Sequence, residues 1–325
     1  MVGPAASGAS SRWMPRLSSM PMHHGISIVT TAGAIEDRRA LDALLEASRA
    51  ADGRAPLSDH LRMDLAHGGG PGFAAITVRE GDRVAGYAQL AAVNGTRNVE
   101  LTVHPELRGD PTIGRRLLQT AIDAVAHDGG GPVQWWAFEA TDADSALAAS
   151  VGLAMTRELL QMRVPLPLDR PVDVATRPFV PGADDDAFLA VNNRAFASHP
   201  EQGGWTRATL RQRQEEDWFD PAGFLLHERD GRLAAFCWTK LHAAADGSPA
   251  LGEIYVIAVD PDFQGLGLGN QLTLAGLSSI AARGITTGML YVDGGNTAAV
   301  TMYEHLGFRV HRTDRAFTTD VVGGR

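Results

Sequence analysis

The sequence predicts an α/β protein built from two tandem domains of one fold, each a mixed central sheet flanked by helices. Three observations carry this. The chain has 325 residues, against about 150 for an average domain. Arg163 to Gly182 holds Pro165, Pro167, Pro171, Pro178 and Pro181, a density that neither a helix nor a central strand tolerates, so it reads as a linker. Matching features recur at a constant separation on its two sides. Val103-His104-Pro105 and Val259-Asp260-Pro261 are 156 residues apart, Gly114 and Gly269 are 155 apart, and so are Val151-Gly152-Leu153 and Leu306-Gly307-Phe308. A separation of 155 to 156 residues across three features marks a duplication, with a period too long for a solenoid.

Taken in order, residues 1–25 are rich in Ser, Pro, Gly, Ala and Met and read as a flexible leader. In the N-terminal domain, 26–168, Ile35 to Ala51 reads as a helix, Gly72 to Arg79 and Arg83 to Val93 as a hairpin, and Val99 to Val103 as a strand. In the C-terminal domain, 169–325, the same places are taken by the helix Asp184 to Ala197, the hairpin Gly223 to His227 and Arg232 to Leu241, and the strand Gly252 to Val259. A helix, a strand, a second helix and a last strand follow in both halves.

Composition narrows the function classes. The chain is 44% hydrophobic and 21% charged, which suits two ordinary cores and excludes a disordered or coiled-coil protein. A net charge of −9 without any Lys/Arg cluster argues against nucleic-acid binding. The single cysteine, Cys237, excludes an internal disulfide and reads as a small buried hydrophobe. His23-His24, His104, His199 and His305 are dispersed, so no metal is expected. No apolar run approaches the 18 residues of a membrane span, and a cytoplasmic monomer is the expectation. Trp135-Trp136 read as strand packing, with no basic residues interleaved for base stacking. The 36 glycines exceed the usual share of about 7%, which directs attention to close backbone approaches.

The strand Glu253 to Val259 ends at Asp260-Pro261, and Gln264-Gly265-Leu266-Gly267-Leu268-Gly269-Asn270 leads into the next helix. Strand, glycine turn and helix start place several unpaired N–H groups and a positive dipole end together, which suits a pyrophosphate. A nucleotide-hydrolysing P-loop needs Lys-Ser/Thr after the last glycine, and Asn270-Gln271 stands there. A dinucleotide fingerprint counted from Gly265 needs a glycine where Asn270 stands. Gln/Arg-x-x-Gly-x-Gly/Ala, counted from Gln264, does fit, and a bland tight turn is the competing reading. Downstream, Met289 to Asp293 reads as a strand. Asn296 is a natural helix N-cap, Tyr303 follows two turns later, and Leu306-Gly307-Phe308 closes the helix. Together the two motifs resemble the GNAT superfamily of N-acetyltransferases, whose acetyl-CoA loop has the first pattern.

The resemblance narrows at His199-Pro200-Glu201-Gln202-Gly203-Gly204-Trp205, Trp238-Thr239-Lys240 and Gly252-Glu253-Ile254-Tyr255-Val256. These motifs are similar to those of the mycothiol synthase family of tandem acetyltransferases. So are Asp52-Gly53, Ala55-Pro56, Leu159 to Arg163 and Trp218-Phe219-Asp220-Pro221, so the likeness covers essentially the whole chain after the leader. It implies transfer of an acetyl group from acetyl-CoA to the cysteinyl amine of cysteinyl-glucosaminyl-inositol, catalysed in the C-terminal domain. Glu253 would be the base and Tyr303 the acid. Ile257, Ala258 and Val259 would meet the thioester carbonyl, and Gln264, Gly265, Leu266, Gly267, Leu268, Gly269 and Asn270 the pyrophosphate. Asn296, Thr297, Ala298, Ala299, Val300 and Thr301 would line the rest of the cofactor. Glu201, Lys240, Glu253 and Tyr291 are implied acceptor contacts, joined by Asp59, where the family usually carries glutamate.

The resemblance also implies a cofactor segment at Leu101, Thr102 and Val103 in the first half. There the loop Arg108-Gly109-Asp110-Pro111-Thr112-Ile113-Gly114 departs from the pattern, because Pro111 removes an N–H donor. Ala148 stands 155 residues before Tyr303 and Arg97 stands 156 before Glu253, so the first half lacks both reactive groups. Each residue also has an ordinary reading: Glu253 a solvated strand-end charge, Tyr303 a core aromatic, Tyr291 a packed strand aromatic, Lys240 an edge residue. Two other functions remain open on the residues alone. One is acetylation of another small amine or a protein N-terminus, and the other is acyl-CoA binding without catalysis.

Overall fold

The computed structural model describes residues 26–31, 37–70, 72–93, 95–197, 202–244 and 249–324. The chain divides into two compact units, one being Glu158–Thr313 and the other the chain before it together with Asp314 onward.

The N-terminal unit contains β1 (Ile26–Thr31), α1 (Arg38–Asp52), α2 (Asp59–Ala66), β2 (Ala74–Glu80), β3 (Arg83–Val93), β4 (Thr96–Val103), α3 (Pro111–His127), β5 (Gly130–Ala137) and α4 (Asp142–Ser150). Helix α1 starts where Asp37 accepts a hydrogen bond from the Ala40 N–H at 3.1 Å, and it ends at Gly53, whose φ of +65° a side chain would resist. β1 to β4 form an antiparallel meander, and β5 joins β4 in parallel. One face of the sheet packs Leu41, Leu44, Leu61 and Leu65 of the first helices, with Leu57 between them, against Phe73 and Tyr87. The other packs the α3 stripe Ile113, Leu117, Ala121 and Val125, spaced at helical period, against Ile76, Val78 and Trp135. Trp135 stacks on Phe317 at 5.2 Å, in keeping with its packing role.

The C-terminal unit holds most of β6 (Ala154–Pro165), then β7 (Arg177–Pro178), α5 (Asp185–Ala195), α6 (Arg207–Gln214), β8 (Phe224–Arg229), β9 (Arg232–His242), β10 (Leu251–Val259), α7 (Leu268–Ala281), β11 (Thr287–Asp293) and α8 (Thr297–His305). The last strand, β12 (Arg309–Val322), passes from this unit to the other at Asp314. Strand order in the unit is β6-β11-β10-β9-β8-β7, with β10 and β11 parallel and every other pair antiparallel. One sheet face carries α7 and α8 over Leu160, Met162, Cys237, Ile254, Leu290 and Phe308. The opposite face carries an aromatic core of Phe188, Phe224, Phe236 and Trp238 under α5 and α6. Helix α7 comes so close to the sheet that a Cβ on Gly276 would stand 2.6 Å from Cys237 Sγ, and one on Gly252 would stand 2.1 Å from Ile280.

Two features differ from the sequence expectation. Proline density placed the domain break after residue 168, whereas the compact units separate at 157/158, inside β6. Pro165 ends β6 opposite Thr287, and Pro178 lies in the short strand β7, which pairs with β8 alone. Both are strand positions where a missing N–H is tolerated. Furthermore, Arg315–Val322 of the last strand pair with Gly130–Ala137 of β5, so the N-terminal sheet is completed by the C-terminal end of the chain. Short elements with weak periodicity, α2 and α6, were not anticipated.

Candidate active site

The site is created by two strands that part. β10 and β11 pair only through Gly252–Ile254 and Gly288–Leu290. Beyond Ile254, β10 continues to Val259 on β9 alone and β11 continues to Asp293 on β6 alone. Tyr255 forms a bulge at the point of parting, since Ile254 pairs with Thr239 while Val256 pairs with the adjacent Trp238. The wedge between the strands is bordered by Ile257, Ala258 and Val259, whose outward backbone groups have no ladder partner on the β11 side.

On the α7 side of the sheet, Gly265 and Gly267 adopt φ of +78° and +75°, which glycine takes without strain. Gly267 is the N-cap of α7 and provides no side-chain cap, and the first turn holds no acidic residue. Gln264 to Gly267 are exposed, and a Cβ on Gly265 or Gly267 would meet nothing within 4 Å. The N–H groups of Leu268, Gly269 and Asn270 thus form an open anion-receptive helix start. Asn296 caps α8 by accepting from the Ala299 N–H at 3.2 Å. Ile257, Val259, Leu268, Ala299 and Val300 all pack on one hydrophobic cluster that contains Tyr303. Thr297, Ala298 and Thr301 are exposed on the same helix. Tyr303 is only 6% exposed and its ring meets Phe308 edge-on at 5.6 Å. Burial, with Cys237 nearby, pushes the Tyr303 hydroxyl above the usual tyrosine range, so it holds its proton at neutral pH.

The opposite face carries a different set. Partners across a ladder share a face, so Lys240, Glu253, Met289 and Arg163 form one row across four strands. Tyr291 lies two residues beyond Met289 and His242 two beyond Lys240, on that same face. Glu253 is 7% exposed, and its Oε2 stands 2.7 Å from Nε2 of His242. Lys240 sits on an interior strand, not an edge, with its ammonium over the rings of Trp218 at 4.4 Å and Tyr255 at 5.7 Å. The Tyr291 hydroxyl accepts from Gln161 Nε2 at 2.7 Å and from Arg312 at 3.1 Å. Gln161 in turn accepts from Arg163 Nε at 3.0 Å. Burial, with the like charge of Arg312, holds the Arg163 guanidinium below the usual arginine range.

Glu253 and Tyr303 therefore stand on opposite faces of the sheet, and groups from the two sides can meet where β10 and β11 part. His242 was not anticipated as the neighbour of Glu253, nor Gln161, Arg163 and Arg312 as neighbours of Tyr291. Glu201 lies outside the described residues, as does the side chain of Asp59, which opens α2. Leu101, Thr102 and Val103 belong to the N-terminal unit and line a cavity of about 430 Å³ there with Arg108, Trp136 and Phe138. At its helix start the Asp110 carboxylate accepts from the Thr112 N–H at 2.9 Å, and Arg108 is held by both oxygens of Asp52 at 2.6 and 2.8 Å. Cys237 is fully buried, which pushes its thiol up to about 12. No helix among the described residues is long and apolar enough to cross a membrane.

The sequence profile of the acetyltransferase (GNAT) family matches residues 190–308, a stretch that includes the parting strands and both motif helices. A mycothiol acetyltransferase of Thermobispora bispora is 47% identical over 278 residues, 84% of this chain and 92% of that protein. One from Streptomyces avermitilis is 44% identical over 305 residues, covering 91% of this chain and 96% of the relative. Among solved structures, a GCN5-related N-acetyltransferase from Sphaerobacter thermophilus superposes with a TM-score of 0.66 at 22% identity, covering 92% of this chain and 97% of the other. A tandem GNAT protein from the clavulanic acid biosynthesis pathway gives 0.60 at 20% identity, over 92% of this chain and all of its own. These structures support the tandem fold, and the sequence relatives decide the family: the chain belongs to the mycothiol acetyltransferases, acyltransferases of the GNAT superfamily.

Proposed function

We propose that the protein transfers the acetyl group of acetyl-CoA to the cysteinyl amine of cysteinyl-glucosaminyl-inositol, giving mycothiol and CoA, in the C-terminal domain (169–325 by the sequence division). The observation that carries this reading is the parting of β10 from β11, with a buried carboxylate on one side and a buried, protonated tyrosine on the other. The name shared by the relatives supports acetyl transfer in mycothiol chemistry, and the likeness of the loop motifs to that family implies the cysteinyl amine as acceptor.

Amide formation from a thioester needs a neutral amine, a polarised carbonyl and a proton for the departing sulfur. Glu253 takes a proton from the acceptor ammonium, directly or through one water. The amine nitrogen then attacks the thioester carbon, while a backbone N–H of the Ile257–Val259 segment donates to the carbonyl oxygen as it gains charge. The C–S bond breaks, the Tyr303 hydroxyl gives its proton to the sulfur, and the second proton lost from the nitrogen as the amide forms passes through solvent to restore the tyrosine hydroxyl. The open start of α7, Gln264 to Asn270, holds the pyrophosphate, and Asn296 to Thr301 line the pantetheine and adenine side. Lys240 and Tyr291 lie on the Glu253 face and are assigned to the acceptor with Glu201. The glucosaminyl-inositol part is rich in hydroxyls, which suits the donors around Tyr291.

Mass spectrometry of the acceptor after incubation with acetyl-CoA tests the proposal. The expected result is one added acetyl group on the cysteinyl nitrogen. Acetylation of other amines or peptides with none on this acceptor would replace the acceptor assignment, and binding of acetyl-CoA without any transfer would remove catalysis.

A further inference from the structure

Glu253 does not face the acceptor side alone. Its Oε2 is 2.7 Å from His242 Nε2, and the two residues are diagonal neighbours, because Glu253 pairs with Lys240 and Leu251 pairs with His242. Strand period alone thus puts imidazole and carboxylate on one face. Lys240, the direct cross-strand partner, is turned onto Trp218 and Tyr255, so the histidine and not the lysine is the cation-capable group against the carboxylate. The exposures are unequal: the Glu253 side chain is 10% exposed and the His242 side chain 35%. A buried carboxylate is joined to solvent through one ring.

We propose that His242 is the positioning residue of the base. Its Nε2–H donates to Oε2 of Glu253, which fixes the carboxylate plane and leaves Oε1 to accept the ammonium proton. Without that donor the carboxylate is free to turn away from the approaching amine, and activity falls. Other charged groups near this face include Lys240 on the same strand, Arg163 in the Glu253 row, Asp293 two residues beyond Tyr291, Arg312 at Tyr291, and Arg213 and Glu216, whose charges act on Tyr255. None of these stands between the imidazole and the carboxylate. The inference rests on Glu253 acting as the base.

The test compares His242→Gln, whose amide can still donate, with His242→Leu, which cannot. Acetyl-CoA affinity should be unchanged in both, since the cofactor residues lie across the sheet. His242→Leu should lose about 10- to 100-fold in kcat, the range expected for one hydrogen bond to a charged group. His242→Gln should recover most of that loss, with KM for the acceptor close to that of the unmodified enzyme. Equal losses in the two variants would overturn the proposal, as would full activity of His242→Leu. If the unmodified enzyme acetylates the acceptor but Glu253→Gln is as active, the base assignment itself fails, an outcome separate from any result at His242.

Discussion

Gly267→Ala separates two consequences of one backbone angle. Gly267 has φ of +75° and caps α7, and alanine there costs about 1–2 kcal/mol because its Cβ crowds the following carbonyl. Nothing lies within 4 Å of that Cβ, so no packing clash adds to the cost. For a domain of this size the loss corresponds to a Tm lower by about 2–4 °C per kcal/mol. Gly284 provides the matched control in the same unit: its φ is +80° and a Cβ there also meets nothing within 4 Å. Gly284→Ala should therefore lower Tm by a similar amount. Only Gly267→Ala should weaken acetyl-CoA, because the new methyl enters the open space before Leu268, Gly269 and Asn270 and tilts their N–H groups. Losing one N–H contact to a phosphate is worth about 10- to 100-fold in Kd. Calorimetric titration with acetyl-CoA, beside thermal unfolding, reads both effects. If both variants lose the same stability and neither changes Kd, the loop is not the pyrophosphate site.

Other expected outcomes follow from the same geometry. Glu253→Gln keeps the shape and the His242 contact but removes the base, so kcat should fall about 10²- to 10⁴-fold with acetyl-CoA affinity retained; a rate loss confined to KM would point to binding instead. Cys237 should resist thiol reagents at neutral pH until the protein unfolds, since it is fully buried and its thiol is pushed up to about 12; rapid labelling of the native protein would contradict the packing. Asp184 accepts from Arg177 at 2.7 and 2.8 Å and from the Val180 N–H at 2.7 Å, and these partners hold its carboxyl below the usual range. Its contribution is present above the ordinary carboxylate pKa and is lost as pH falls through the lowered folded value. Asp184→Asn should thus be less stable by about 1–3 kcal/mol at neutral pH, and urea titrations should show the gap closing in strong acid.

What could be read from the sequence was local, and what escaped depended on register. The α7 loop and the interval from Asn296 to Tyr303 are set by residues adjacent in the chain, so glycine conformation, capping preference and helical period placed them locally, and the family resemblance singled them out. His242 and Glu253 are joined across a hairpin whose ladder runs from Leu251 opposite His242, and the pairing follows from where that ladder begins, which spacing does not reveal. The contacts of Tyr291 come from Gln161 on β6 and Arg312 on β12, about 130 and 20 residues away, and require the strand order. The unit boundary was displaced for a related reason. Proline marks where a strand can end, but it does not report that Arg315–Val322 of the last strand complete the sheet of the first half.

Comparing the halves separates what the fold requires from what the chemistry requires. β4 and β5 also pair over three positions, and Arg97 with Val133 and Asn98 with Gln134 stand 156 residues before Glu253 with Met289 and Ile254 with Leu290. The parting strands are therefore an inheritance of both units and do not by themselves mark a reaction. The groups around them differ as a set. Arg97, in the place of Glu253, donates to the Gly72 carbonyl and pairs with Asp128. Ala148 stands buried in the place of Tyr303. The start of α3 is occupied by the Asp110 carboxylate, and its N1 residue is Pro111, so it presents fewer free donors and a negative charge where α7 presents open N–H groups. Packing imposes no link between a strand-end carboxylate, a tyrosine two turns into a later helix and an uncapped glycine at a third site. All three occur in one unit and none in the other, which is the asymmetry the proposed acetyl transfer in the C-terminal half requires.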